Sequence, residues 1–105
     1  MDKLSYEHTL GIKVEESINA KAVYYIKQQT GLSLTQIKEK IKENDYIFEV
    51  IVGDLEGLQK INRMKVELDK LDAICHLFQD DEEKSSQFFD NIEQRGIEIA
   101  QESAY

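Results

Sequence analysis

Two short apolar runs separated by one amphipathic segment restrict the possible folds more than any other feature of the sequence. The runs are residues 46–52 (YIFEVIV) and 73–78 (AICHLF), and both are rich in the β-branched and aromatic side chains that favour strands. Between them, apolar residues recur at helical spacing from Leu55 to Leu71, and Asp54 is placed to cap that helix. A helical crossover joins parallel strands. The pattern predicts that 46–52 and 73–78 are adjacent parallel strands, with 46–52 central and buried on both faces.

The N-terminal part of the chain predicts one strand followed by a helical hairpin. Residues 9–14 alternate between apolar and polar side chains, as a half-buried strand does. Asn19 is placed to cap a first helix, and Gly31 ends it with a residue suited to a left-handed backbone. Ser33 and Gln36 form the capping-box pattern at the start of a second helix.

The C-terminal part predicts a fourth helix and a last strand. Asp80 or Asp81 begins the helix, Gly96 ends it, and residues 97–100 alternate like an edge strand. The apolar face of this helix consists of Phe88, Phe89 and Ile92. The predicted fold class is therefore α/β, with two layers and a mixed, mainly parallel sheet. Its order is strand, helix, helix, strand, helix, strand, helix, strand.

Length and composition predict one domain over residues 1–105, with loose ends at 1–8 and 102–105. No Gly/Ser/Pro-rich linker divides the 105 residues, and the chain contains no proline. The single cysteine cannot form an internal disulfide, and the N-terminus lacks the basic and apolar regions of a signal peptide. No apolar run is long enough to span a membrane. The expectation is a soluble cytoplasmic protein without membrane contact.

The charge is distributed unevenly along the chain. Residues 1–65 hold 10 basic and 10 acidic side chains, whereas residues 66–105 hold 3 basic and 11 acidic ones, so the net charge of −8 arises in the last 40 residues. The densest acidic stretch is Asp80, Asp81, Glu82 and Glu83. This charge disfavours direct nucleic-acid binding and suits a basic protein partner. The alternative interpretation of the stretch is a solvated surface that also caps a helix.

No pattern of catalytic or metal-binding residues is present. Cys75 and His76 are adjacent, and neighbours on a strand point to opposite faces, so they cannot act as a nucleophile and its base. Cys75 is expected to be a small buried core residue, and the spacing of the Cys and His residues does not fit zinc. The turn Gly53–Gly57 lies where a strand passes into a helix, but it lacks a phosphate-binding glycine pattern. We therefore expect no enzyme activity, no cofactor and no metal, and small-ligand binding at Gly53–Gly57 is the third functional hypothesis.

A second candidate contact surface is the run around Tyr24, Tyr25 and Lys27. Aromatic residues beside lysines on one helix can form an exposed interaction patch, since tyrosine is favoured in interface cores. The alternative is that one tyrosine packs inward and the other covers a loop.

Residues 19–41 resemble the helix-turn-helix core of the C-terminal domain of the bacterial ribosomal stalk protein. That family has a short strand, a helix ending in T-G-L-G-L, a second helix carrying K-E-A-K, and a later helix and strand. This chain has T-G-L-S-L between its two predicted helices. Lys27 and Lys38 fall on basic positions of the family, whereas Tyr24 and Thr35 stand where the family has lysine. The resemblance implies a role as an accessory domain in translation, because basic residues on this helix pair recruit translation factors in the family.

The leading functional hypothesis is a small acidic non-enzymatic module that binds a protein partner. In size and charge the chain is similar to immunity proteins and antitoxins, which mask basic toxin surfaces. The stalk-like translation domain is the alternative. The candidate partner-binding residues are Asp80, Asp81, Glu82, Glu83, Tyr24, Tyr25 and Lys27.

Overall fold

A computed structural model describes residues 8–102, which form one four-stranded antiparallel sheet and four helices. The strands are β1 (Thr9–Val14), β2 (Phe48–Ile51), β3 (Cys75–Gln79) and β4 (Glu82–Lys84). The helices are α1 (Ala20–Thr30), α2 (Leu34–Lys42), α3 (Leu55–Lys70) and α4 (Ser86–Glu102). The general α/β class is as predicted. The loose ends predicted at 1–8 and 102–105 lie outside the described residues except for His8 and Glu102. The His8 carbonyl accepts a hydrogen bond of 2.8 Å from the Val52 amide, and Glu102 is the last residue of α4.

The order of the strands is β2-β1-β3-β4, and every neighbouring pair is antiparallel. The prediction that 46–52 and 73–78 are adjacent parallel strands is therefore wrong. β2 and β3 do run in the same direction, because both are antiparallel to β1, and α3 is the crossover between them. However, β1 is inserted between the two strands. It pairs with β2 from Thr9 opposite Ile51, and with β3 from Leu10 opposite Gln79.

β2 is an edge strand, so the prediction that 46–52 is central is also wrong. The apolar side chains of this run lie in several different environments. Ile47 belongs to the core, whereas Phe48 and Val50 are partly buried against it. Ile51 and Val52 are exposed. A high apolar content therefore did not mean burial on both faces here.

The predicted helical hairpin is confirmed. Asn19 Oδ1 accepts a hydrogen bond from the Ala22 amide at 3.0 Å, and Gly31 adopts φ 76° after the last turn of α1. Ser33 Oγ accepts from the Gln36 amide at 3.1 Å, while Gln36 Oε1 accepts from the Ser33 amide at 2.9 Å. Both partners of the capping box are thus present at the start of α2.

Asp80 and Asp81 do not begin a helix, contrary to the prediction. They form the two-residue turn of the β3–β4 hairpin, with φ of 52° and 67°. Aspartate tolerates this left-handed region better than most residues, and the hairpin turn requires it at both positions. α4 begins later, where Ser85 Oγ accepts a hydrogen bond from the Phe88 amide at 3.1 Å.

The predicted last strand at 97–100 is wrong as well, because α4 continues through these residues to Glu102. Gly96 lies inside the helix rather than at its end. A Cβ atom at this position would lie 3.0 Å from Leu55 Cδ1, so glycine permits close packing of α4 against α3. Glycine in a sequence marks both helix ends and close contacts, and here the second reason applies.

The core lies between the helices and one face of the sheet. Alternate residues of the two central strands point into it, and they are almost fully buried, namely Leu10, Ile12, Val14, Cys75 and Leu77. The predicted burial of Cys75 is confirmed. From α4, Phe89 is completely buried, and Phe88 and Ile92 are partly buried against the core. The predicted apolar face of this helix is therefore confirmed, although its boundaries are not.

Candidate functional site

The face of the sheet opposite the core carries polar, aromatic and charged side chains. Side chains alternate along a strand, so the strand residues that do not point into the core point to this side. We call it the open face, and its strand residues are Thr9, Gly11, Lys13, Glu49, Ile51, His76, Phe78 and Glu83. The helices pack on the other side, where α3 contacts β1, β2 and β3.

Tyr46 lies flat across the middle of the open face. Its ring covers Gly11 so closely that a Cβ atom there would lie 2.7 Å from Tyr46 Cε1. The ring meets Phe78 edge to face, with centroids 5.7 Å apart and planes at 80°. At the far end, the Tyr46 hydroxyl donates a hydrogen bond of 2.6 Å to Asp81 Oδ1. Burial, together with this carboxylate, raises the pKa of the Tyr46 hydroxyl far above its ordinary value, so the hydroxyl keeps its proton.

Lys13 adds a cation to this aromatic pair. Its Nζ lies 4.8 Å from the ring centroid of Tyr46 and 4.7 Å from that of Phe78. Both distances are within the range of a cation–π interaction. Lys13, Tyr46 and Phe78 therefore fix one another's positions on the open face.

His76 joins two carboxylates that are far apart in the sequence. Its Nδ1 lies 2.6 Å from Glu83 Oε2, and its Nε2 lies 2.7 Å from Glu15 Oε2. A neutral imidazole has a single N–H, so two hydrogen bonds to carboxylates require the protonated ring. The hydrogen bonds to Glu15 and Glu83 raise the pKa of His76, and burial opposes them without reversing the direction.

Cys75 and His76 face opposite sides of β3, as the sequence indicated. Cys75 is buried in the core, and burial raises the pKa of its thiol to about 11. A thiol in this state is a poor nucleophile at neutral pH. The pair therefore has no catalytic geometry.

The two aspartates of the predicted acidic stretch lie at one edge of the open face. Asp80 Oδ1 accepts a hydrogen bond of 2.9 Å from the Thr9 amide, and Asp80 Oδ2 lies 2.8 Å from His8 Nδ1. Asp81 binds Tyr46. Asp80 thus holds the hairpin turn to the start of β1, and Asp81 holds it to the ring of Tyr46.

The two glutamates of the stretch lie on β4. Glu82 Oε1 pairs with Lys84 Nζ at 3.1 Å, and Glu83 pairs with His76. Glu82 is 78% exposed and Glu83 is 57% exposed, so each keeps carboxylate oxygens accessible to solvent. The structure places the stretch in a hairpin, and its charges border the open face instead of starting a helix.

Further carboxylates join this face from the N-terminal half of the chain. Glu15 reaches it through His76, and Glu49 and Asp45 lie close enough to Tyr46 to raise the pKa of its hydroxyl. The acidic surface is therefore not confined to the C-terminal 40 residues, although the excess of acidic residues in the sequence is.

The second candidate surface lies on α1, in the helical layer. Tyr24 is 59% exposed, whereas Tyr25 is partly buried against the core. Burial, followed by the charge of Glu67, raises the pKa of Tyr25. Lys27 is exposed in the last turn of the helix. The structure does not bring Tyr24, Tyr25 and Lys27 together with the acidic stretch, so the candidate partner-binding residues form two separate surfaces.

The Gly53–Gly57 turn supports the start of α3. Asp54 Oδ1 accepts a hydrogen bond of 2.9 Å from the Gly57 amide, which confirms the predicted cap. Gly53 has φ 106°, a conformation that favours glycine. A Cβ atom at Gly57 would lie 2.5 Å from Val50 Cγ1, so this glycine lets α3 pack on β2. Backbone geometry and packing account for both glycines.

The sequence interpretation missed most of the open face, including Lys13, Glu15, Tyr46 and Glu49. One signal was available, since Gly11 occupies an outward position in a strand that otherwise alternates regularly, and such a glycine indicates close approach of another group. The link from Glu15 through His76 to Glu83 has no local signal, because it depends on the pairing of β1 with β3.

Within residues 8–102, no group of three or more His, Cys, Asp or Glu side chains is placed to hold a metal ion. No helix in the same part of the chain is long and apolar enough to cross a membrane. Comparisons with protein-family models, with curated proteins and with solved structures find no match.

Proposed function

We propose that the chain is a non-enzymatic binding module whose open face docks on a basic protein partner. The observation that carries this proposal is the arrangement around Tyr46 and Phe78. The carboxylates of Glu15, Asp45, Glu49, Asp81 and Glu83 lie around this aromatic pair. The cations among them are Lys13, His76 and Lys40, and Lys40 Nζ lies 3.4 Å from Asp45 Oδ2. The face therefore keeps a negative excess even with all three cations charged.

Such a face suits arginine and lysine side chains of a partner. A guanidinium can stack on an aromatic ring and pair with a carboxylate at the same time. Ile51, which is 54% exposed, adds apolar area beside the aromatic pair. Because Lys13, Tyr46 and Phe78 already hold one another in place, little side-chain freedom remains to be lost on binding.

The acidic stretch Asp80–Glu83 would act mainly through its charge. Its side chains are engaged within the hairpin, yet they remain exposed at the border of the face. Border charges steer the encounter with a basic partner more than they hold the complex together. This role is similar to that of immunity proteins and antitoxins, which cover basic surfaces of toxins, and a cytoplasmic location is part of the proposal.

The test compares two charge reversals that change the net charge equally. The Glu49 side chain makes no hydrogen bond or ion pair with residues 8–102, so Glu49→Lys alters the open face without breaking a side-chain contact of that kind. Glu98→Lys is the matched control, because Glu98 is exposed on α4 in the helical layer. The purified chain is used to capture partners, the captured protein is identified, and association rates are measured at several salt concentrations.

We expect the captured partner to have a basic surface. We also expect Glu49→Lys to lower the association rate at low salt about 10-fold, because electrostatic attraction steers the encounter. Glu98→Lys should leave that rate nearly unchanged. A partner with an acidic surface, or equal effects of the two substitutions, would contradict the proposal.

The second candidate function is a translation accessory domain similar to the ribosomal stalk domain. The observation that favours it is the α1–α2 hairpin, whose exposed residues include Tyr24, Lys27 and Lys38. The elements β1, α1 and α2, followed later by α3 and β3, have the order that the resemblance implies. The test is co-sedimentation of the chain with ribosomes. Binding that is abolished by Lys27→Glu and by Lys38→Glu, but not by Glu49→Lys, would favour this function over the first.

A further inference from the structure

Glu15, His76 and Glu83 connect three different strands of the sheet. Glu15 directly follows β1, His76 lies on β3, and Glu83 lies on β4. β4 is an edge strand of only three residues, and among residues 8–102 it pairs with β3 alone. An edge strand of this length depends on side-chain contacts in addition to its backbone ladder.

We propose that Glu15, His76 and Glu83 form a proton-dependent clamp, which fastens the edge strand β4 to β3 and to the end of β1 while the imidazole is charged and loosens β4 as the pH rises. The inference goes beyond partner binding and requires no partner. The inference follows from the hydrogen bonds of His76, because both of its ring nitrogens must carry a proton to donate to the two carboxylates. With a neutral ring, one nitrogen can donate and the other presents a lone pair to a carboxylate, so one of the two hydrogen bonds must be lost.

The charged groups around His76 favour the closed clamp at low pH. The two carboxylates stabilise the imidazolium from β4 and from the end of β1. Lys13, which is the register partner of His76 on β1, directs its ammonium group to the rings of Tyr46 and Phe78. On β4, Lys84 pairs with Glu82. The helices lie across the sheet from His76, so their charges do not face it.

The direction in which the clamp's stability depends on pH follows from the direction in which folding shifts the pKa of His76. The folded-state pKa of His76 lies above that of the unfolded chain, which is about 6.5. The stability that the clamp contributes is therefore fully present below pH about 6.5 and is lost as the pH rises through the folded-state pKa. Release also removes one positive charge from the open face and exposes two carboxylates.

The experiment combines an NMR titration of the histidine side chains with amide hydrogen exchange. The chain has two histidines, so the spectrum of His76→Gln identifies the signals of His76. In the wild type we expect His76 to titrate above 6.5, and we expect Glu15→Gln and Glu83→Gln each to lower its pKa. These variants keep the size of the side chain and remove only the charge.

Hydrogen exchange then tests whether the hairpin responds. After correction for the intrinsic rate, the protection of the β4 amides should fall several-fold as the pH rises through the measured pKa of His76. The ratio of the folded to the unfolded proton-binding constant sets the upper limit of that fall. The wild type and His76→Gln are also compared in a His8→Gln background, which removes the His8 contact with Asp80 in the hairpin turn. In that background the protection of β4 should change with pH when His76 is present and should not change in His76→Gln, and amides of α3 serve as the internal control.

Two results would overturn the clamp. One is a pKa of His76 at or below 6.5, and the other is an equal pH dependence of β4 protection in the wild type and in His76→Gln. If His76→Gln does not fold, Glu83→Gln provides the same comparison. Neither result bears on whether the open face docks on a basic partner, because that proposal is tested by the Glu49→Lys and Glu98→Lys variants.

Discussion

Replacing Gly11 with alanine should destabilise the protein only when Tyr46 is present. The added methyl group would occupy the space of the Tyr46 ring, so the ring would have to leave the sheet. Three interactions would weaken with it. The edge-to-face contact with Phe78 is worth about 1 kcal/mol, and the cation–π contact with Lys13 about 0.5–1 kcal/mol. The exposed hydrogen bond to Asp81 adds less than about 1 kcal/mol.

The change also has a favourable part, since glycine inside a strand costs about 0.5–1 kcal/mol relative to alanine. The net expectation for Gly11→Ala is a loss of about 1–2 kcal/mol in the free energy of unfolding. With a typical urea dependence for a small domain, this loss lowers the denaturation midpoint by about 0.5–1 M.

A double-mutant cycle with Tyr46→Ala provides the decisive measurement. In the Tyr46→Ala background the methyl group at position 11 meets no ring, so Gly11→Ala should be neutral or stabilise by about 0.5 kcal/mol. The sign of the effect should therefore depend on Tyr46. An equal loss in both backgrounds would show that the methyl group at position 11 is excluded by something other than the Tyr46 ring, and the role of Tyr46 as a cover of the sheet would be refuted.

Two further substitutions test the helices by urea denaturation. Ser33→Ala should cost about 1 kcal/mol, because it leaves the Gln36 amide without its acceptor at the start of α2, and an unchanged midpoint would mean that the capping box contributes nothing. Gly96→Ala should stabilise by up to about 1 kcal/mol, since α4 continues through this residue and only the flexible end of Leu55 has to move. A loss of similar size would instead show that the Leu55 side chain cannot move aside, so that α3 and α4 need the glycine to pack.

The sequence was informative where local chemistry decides the structure. The caps at Asn19, Ser33 and Asp54 depend on hydrogen bonds between residues three positions apart, and all three are formed as predicted. Helical periodicity identified the helices α1 to α3, and alternation identified β1, because one face of each is buried. The strands β2 and β3 were identified from their runs of β-branched and aromatic residues. These features do not depend on which strand lies next to which.

The order of the strands could not be read in the same way. A helix between two apolar strands is compatible with direct neighbours and with an inserted third strand, and nothing in residues 46–52 distinguishes the two. The C-terminal errors have a similar cause. Asp80 and Asp81 suit a helix start and a tight hairpin turn equally, and Gly96 suits a helix end and a close helix contact. The competing interpretations differ only in tertiary contacts.

For the open face, the sequence supplied individual residues without their arrangement. The acidic stretch was visible as composition, and its exposure is confirmed by Glu82 and Glu83. The contribution of Glu15 and Glu49 was not visible, because strand pairing across more than 25 residues brings them to the same surface. Tyr46 was assigned to a strand, whereas it precedes β2 and covers the sheet from outside.

The central place of β1 has a consequence for how the protein is made. Of the four strands, β1 is synthesised first, but both of its edges pair with strands that come later in the chain. One edge pairs with β2, and the other pairs with β3, which ends at Gln79. Until β2 and β3 have been synthesised, the apolar side chains of Leu10, Ile12 and Val14 and the backbone hydrogen-bonding groups on both edges of β1 lack their final partners. Such segments are prone to aggregate, and closing large loops slows folding. Correct folding therefore requires that β1 pairs with β3 before it pairs with an exposed strand edge of another molecule.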